Sequence, residues 1–448
     1  MTTTKSLLFV CMALGTTLPV AAADLLDIYH AAQGQDAVFA GAQAAQRAGQ
    51  EKLAQGRSSM LPSVNLTANT TYNDNSLQYR AAPPASPGDY RYNSHGYGVS
   101  LTQPLYRQQS WGAYSKAVVQ VAQTDAEFKI AEQELILRVT QTYFDVLMAQ
   151  DGVHLALAQK SAIAEQLEQA KRNFEVGSAT ITDTYEAQAR YDLVSAQEIA
   201  AQSNLEIKIN SLQQLINDKA GNLQPLGNLQ PLGQPFKTEA PQPSDMGKWV
   251  QDAQQNNLQL AVAQAAAKLA EKEVGRNRGG HYPTLDLVAN YSKNSANGGS
   301  SGVGSDSHIA SVGVQFNLPL FQGGATNSKW REAEASRDRA QSELENTRRN
   351  VDMQTRRAYL GVVNGIAQVQ ALQQALKSGE SLLEASKLGQ EVGVRTNLDV
   401  LNAQQQLYST QRDLYQAEYN YLISQLRLKA ATGTLAEEDL AKVNQALH

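Results

Sequence analysis

Residues 61–66, Leu-Pro-Ser-Val-Asn-Leu, return at 282–287 as Tyr-Pro-Thr-Leu-Asp-Leu, and Pro62 and Pro283 lie 221 apart. Val99-Ser-Leu-Thr-Gln-Pro-Leu-Tyr106 returns as Val314-Gln-Phe-Asn-Leu-Pro-Leu-Phe321, with Pro104 and Pro319 215 apart. Val176-Gly177, Asp183 and Ala187-Gln188 return as Val392-Gly393, Asp399 and Ala403-Gln404, 216 apart. Three blocks in one order at nearly one offset mark a tandem repeat of a single structural plan. Each copy is predicted to hold a helix, a strand, a loop, a strand and a very long helical hairpin. Repeat 1 is expected over 24–220, with strands at about 63–73 and 96–106. Repeat 2 is expected over 244–448, with strands at about 284–292 and 309–321 and a short C-terminal segment. The linker, 221–243, carries the hexapeptide 222–227 duplicated at 228–233, and its Pro and Gly argue for an irregular spacer.

The strands alternate. Val64, Leu66, Ala68, Thr70 and Tyr72 share one face, and Ser63, Asn65, Thr67, Asn69 and Thr71 the other. Tyr97, Val99, Leu101 and Leu105, then Leu285, Leu287, Ala289 and Tyr291, then Val312, Val314, Phe316, Leu318 and Leu320 repeat the pattern. An apolar face backed by small polar residues suits lipid outside and water inside, although a half-buried soluble sheet alternates in the same way. Long polar loops are expected at 74–89, with Pro83-Pro84 and Pro87-Gly88, and at 293–308. Pro62, Pro104, Pro283 and Pro319 are expected at strand–helix junctions, where a missing N–H is harmless.

After Pro104 a 3,4 apolar spacing runs from Trp111, Tyr114 and Val118 through Leu135, Val139 and Val146 to Ile163, Leu167, Ala170 and Phe174. Such a seam means helices packed as a coiled coil. Copy two keeps it less cleanly through Leu344, Val351, Val362, Val369, Leu372, Leu376 and Leu383. About 70 helical residues reach ~105 Å, far beyond a bilayer core of ~30 Å.

The first 23 residues read as a secretory signal peptide. Lys5 is the basic start, Leu7–Leu14 a short apolar run, and Ala21-Ala22-Ala23 the cleavage pattern, so the mature chain is expected to begin at Asp24. The one cysteine, Cys11, falls inside the signal, which leaves no disulfide or thiolate metal site. A formal net charge of −5 offers no basic excess for nucleic acid. The six histidines make no H-E-x-x-H spacing, and there is neither a P-loop nor a G-x-S-x-G, so no enzyme, metal or cofactor is expected. Four membrane-type strands cannot close a barrel, and lipid does not tolerate open edges. A homotrimer with twelve strands would close one.

Val392-Gly-Val-Arg-Thr-Asn-Leu-Asp-Val-Leu401 and Tyr419-Asn-Tyr-Leu-Ile-Ser-Gln-Leu426 carry a resemblance to the TolC outer-membrane channel family over nearly all of 24–447. Phe236-Lys-Thr238 followed by Pro241-Gln-Pro243 adds a weaker match. The resemblance implies a mixed α/β membrane protein: a trimeric twelve-stranded transmembrane β-barrel, four strands per chain, continued by an α-helical coiled-coil barrel in the periplasm. It implies a passive exit duct of the bacterial outer membrane, serving multidrug efflux or type I protein secretion. The implied partners are outer-membrane lipid, a periplasmic adaptor and an inner-membrane RND or ABC pump. No long tail of the kind some family members carry is expected after repeat 2, so tail-dependent behaviour is not expected either. The competing expectation is a soluble periplasmic coiled-coil adaptor, which would share the signal and the heptads but should have one hairpin.

The resemblance also assigns sites. Gly177 and Gly393 suit helix ends that need a left-handed residue, and the family docks adaptors at these turns. Thr396 and Asp399 have capping-box spacing; the family places the acid in a ring at the tunnel's narrow end. A second acid three residues on is replaced by Asn402, so one carboxylate ring beside an amide ring is expected, with weakened cation selectivity. Arg395 matches a closed-state latch residue whose partners correspond to Thr182 and Asp183, and Gln390 stands where relatives have a latch tyrosine.

Overall fold

The computed structural model describes residues 24–78, 88–217, 229–233, 235–299 and 303–447. The expected signal peptide, Pro83-Pro84, Pro87 and the first linker hexapeptide lie outside the described residues.

The chain begins with α1 (Leu25–Gln35) and α2 (Ala37–Ser58), each capped at its start by an aspartate, Asp24 and Asp36. A β-hairpin follows, β1 (Ser63–Leu77) and β2 (Gly88–Tyr106). Next come α3 (Gln108–Glu175), 68 residues long, and α4 (Ile181–Ile216). Copy two repeats the sequence of elements: α5 (Met246–Asn256), α6 (Leu258–Arg278), β3 (Thr284–Ala296), β4 (Ser305–Asn317), α7 (Ala325–Glu391) and α8 (Asn397–Ala431). A short α9 (Glu437–Gln445) closes the described chain. At ~1.5 Å per residue, α3 and α7 each run ~100 Å. No helix among the described residues is long and apolar enough to cross a membrane.

The four strands among the described residues form one antiparallel sheet in the order β1-β2-β3-β4, so β1 and β4 each leave an outer edge unpaired among those residues. The strands run further than their apolar stretches: to Leu77 and from Gly88 in the first hairpin, to Ala296 and from Ser305 in the second. The expected loops at 74–89 and 293–308 are correspondingly shorter. Backbone pairing continues whatever the side-chain polarity, so hydropathy underestimated both hairpins. At the other end β4 stops at Asn317, short of the expected 321, and Pro319 follows it. Pro62 and Pro283 stand immediately before β1 and β3. Pro104 instead lies within β2, where the register shifts between Pro104 and Tyr106, a bulge in which the missing N–H disrupts no ladder.

The main core sits midway along the helices. Leu135, Val139 and Val146 of the expected seam are buried there. So is a second face of α3, with Ile136, Tyr143, Phe144 and Leu147, which packs among α1, α8, α9 and the linker. A single heptad seam could not reveal that second face. The linker is more than a spacer: Leu229, Leu232 and Phe236 enter the core, and the Tyr143 hydroxyl accepts from the Gln230 N–H at 3.2 Å. Toward the sheet Trp111 and Val118 are exposed in the protomer, as is Phe174 at the far end.

Candidate functional site

At the end remote from the sheet, both long hairpins turn on the same backbone. In copy one Gly177 adopts φ +78°, and the N–H groups of Ser178 and Ala179 return to the Asn173 carbonyl at 2.8 and 3.2 Å. In copy two Gly393 adopts φ +77°, and Val394 and Arg395 return to the Gly389 carbonyl at 2.8 and 3.0 Å. Left-handed backbone closes each helix and satisfies its last carbonyls, the role for which glycine is suited. The next helix then starts with a capping box. The Thr180 hydroxyl accepts from the Asp183 N–H at 3.3 Å, while Asp183 accepts the Thr180 N–H at 2.9 Å. Thr396 and Asp399 repeat this at 3.2 and 2.8 Å.

The side chains on the two turns differ. Arg395 places Nη1 3.9 Å from Asp399 Oδ1. The Thr396 backbone N–H, then its hydroxyl at 2.8 Å, then the Arg395 charge hold the Asp399 carboxyl below the usual carboxylate range. Asp399 is therefore an anion at neutral pH in the protomer. Gln390 donates to the Asn397 side chain at 3.3 Å, bracing its own turn. Among the described residues, no hydrogen bond or ion pair within the protomer joins Arg395 to Thr182 or Asp183. Exposed Val176, Val392 and Val394 crown the turns.

The hairpins pack mainly through α3 and α8, and hydrogen bonds join α4 to α8. Arg190 of α4 donates from Nη1 to Gln405 Oε1 at 2.5 Å and from Nη2 to Asn402 Oδ1 at 3.1 Å. Asn402 is thus engaged by an arginine of the other hairpin. Arg190 escaped the sequence reading, although a signal existed. Aligning Ala187-Gln188 with Ala403-Gln404 sets Arg190 opposite Gln406, a cation with no counterpart in the repeat. No group of three His, Cys, Asp or Glu side chains among the described residues is placed to hold a metal ion.

The family described as outer membrane efflux protein matches residues 28–218 and 249–434, one segment in each copy. The chain belongs to the outer membrane efflux protein family. It is 34% identical over 444 residues to the outer membrane protein TolC of Vibrio cholerae, covering 98% of both chains. It is also 34% identical to the alkaline protease secretion protein AprF of Pseudomonas aeruginosa, covering 94% of this chain and 86% of that one. The fold matches the CmeC outer membrane channel of Campylobacter jejuni with a TM-score of 0.79 at 16% identity, over 96% of this chain and 90% of that one. VceC of Vibrio cholerae matches at 0.75 and 20% identity, over 91% and 96%. This family member is accordingly an outer-membrane channel protein and not an enzyme. The soluble-adaptor alternative falls: two matched hairpins and the channel fold span the chain.

Proposed function

We propose that three copies assemble into a closed duct, with β1 of one protomer pairing with β4 of the next, and that the hairpin tips form its gate. The unpaired outer edges of β1 and β4 carry this reading, since an open sheet edge in lipid leaves a row of N–H and C=O groups unsatisfied. Twelve strands give a lumen wide enough for water. At the far end, threefold symmetry turns Asp399 into a carboxylate ring that favours cations.

The gate works through weak contacts. The bonds from Arg190 to Asn402 and Gln405 clasp the second hairpin against the first, and Arg395 reaches Thr182 and Asp183 across a subunit boundary. Hydrogen bonds of this kind contribute on the order of 1 kcal/mol each, so a partner's binding energy suffices to break them. The partner is a periplasmic adaptor docking on the turns at Gly177 and Gly393, where the backbone is exposed. An inner-membrane RND or ABC pump behind it supplies the energy and chooses the cargo, drug or secreted protein. Residues 1–23 act as the export signal, and 24–220, 221–243 and 244–448 are repeat, linker and repeat.

Single-channel recording in planar bilayers tests the pore and the ring together. The wild type should give small cation-selective events. Asp399→Ala should lose that selectivity. The Thr396 bonds lower the folded pKa of Asp399, so its charge and its contribution to stability should be present above the ordinary carboxylate range and disappear as pH falls through the lowered value. Selectivity that survives in Asp399→Ala would remove Asp399 from the aperture. A protein that forms no pores would sink the duct.

A further inference from the structure

On the outward face of the sheet, rows of directly opposed residues change character at one level. Leu101–Ala289–Val312 and Val99–Tyr291–Ala310 are apolar. The next row toward the loops is Tyr97–Lys293–His308, and the one above it His95–Ser295–Asp306. Opposed residues share a face, and alternate rows lie ~7 Å apart. Lys293, His308 and His95 are therefore grouped where the lipid-facing band ends, with Asp306 as the one carboxylate beside them. Lys293 is half-buried and both histidines are exposed. None of the three side chains has a hydrogen-bond or ion-pair partner among the described residues.

Directly below lies a shallow groove of about 370 Å³ between β2, β3 and β4. Small Ala289 and Ala310 sit between the larger Val99, Tyr291 and Val312. An apolar groove one row below a lysine and two imidazoles, donors suited to phosphate oxygens, matches a lipid with a phosphate-bearing head: chain below, phosphate above. A free phosphate would leave the groove unexplained. A lysine merely extending to water would need neither groove nor histidines.

We propose that this patch binds an acidic, phosphate-bearing lipid of the outward-facing leaflet, its phosphate held by Lys293, His308 and His95 and an acyl chain lying along Ala289 and Ala310. The proposal rests on the closed-barrel reading, which makes this face meet lipid.

Native mass spectrometry of the detergent-purified protein, with phosphatidylglycerol or phosphatidylcholine of identical chains, reads assembly and lipid retention at once. The wild-type trimer should retain phosphatidylglycerol over phosphatidylcholine by about five-fold or more, the scale of one or two basic residues near a phosphate. Lys293→Gln with His308→Gln should remove the preference while leaving the trimer intact. Ala310→Leu, which fills the groove, should lower retention of both lipids. Equal retention by the wild-type trimer, or a preference that survives the double substitution, overturns the lipid site alone. A monomeric mass overturns the barrel reading and the site with it.

Discussion

The two hairpin tips share a backbone and differ in the side chains hung on it. Residues 176–183 and 392–399 make the same left-handed glycine, the same returning N–H groups and the same threonine–aspartate box. Copy one then carries Asn173, Ala179 and Arg190 where copy two carries Gly389, Arg395 and Gln406. Local stability is thus duplicated, while the charges that can act on a gate are divided: the clasp arginine on one hairpin, its acceptors and the turn arginine on the other. Unlike tips give each protomer a donor and an acceptor.

The largest effect expected from breaking this asymmetry is functional. Arg190→Ala removes both bonds to α8, whereas Gln406→Ala at the matching site of copy two leaves them untouched. Bilayer recordings of Arg190→Ala should show a conductance raised several-fold, as the loss of two bonds of ~1 kcal/mol each would allow. Gln406→Ala should behave as wild type. Equal conductance in both variants would mean that the contact is incidental to gating.

A smaller and symmetric effect is expected where the tips agree. Thr180→Ala and Thr396→Ala each remove one cap, costing ~1 kcal/mol. Thermal denaturation of the detergent-solubilised protein should show similar losses for the two. Clearly unequal losses would mean that the tips differ in backbone environment as well as in side chains.

What the sequence made legible follows the same division. Elements fixed by local chemistry were readable: the repeat, the alternation of Val64 to Tyr72, the glycines at 177 and 393, and the Thr396–Asp399 spacing. Features that depend on elements far apart in sequence were not. Tyr143 and Phe144 lie off the heptad seam, which marks one face only, and are buried by α1, α9 and Leu229. Hydropathy ended the strands where lipid ends, but the ladder continues to Leu77 and Ala296. Asn402 read only as an amide beside the carboxylate ring because its partner, Arg190, is 212 residues away. The resemblance that assigned latch roles to Arg395 and Asp183 assigned none to Arg190.

The smallest expected effect probes how the second tip accommodates its arginine. A Cβ added at Gly389 would lie 2.7 Å from Cγ of Arg395 and 3.3 Å from its Cβ. In copy one the sizes are reversed, Asn173 with its side chain and Ala179 without reach, so each turn has room for one large residue. Gly389→Ala should therefore displace Arg395 rather than unfold the turn, because an exposed, flexible side chain can move. Its thermal cost should be small and should shrink further in the Arg395→Ala background, since the clash is then reduced to one Cβ contact. A double-mutant cycle by thermal denaturation reads this directly. Additive losses would mean that Gly389 serves only the backbone, and that Arg395 is held over the turn by something other than the space left beneath it.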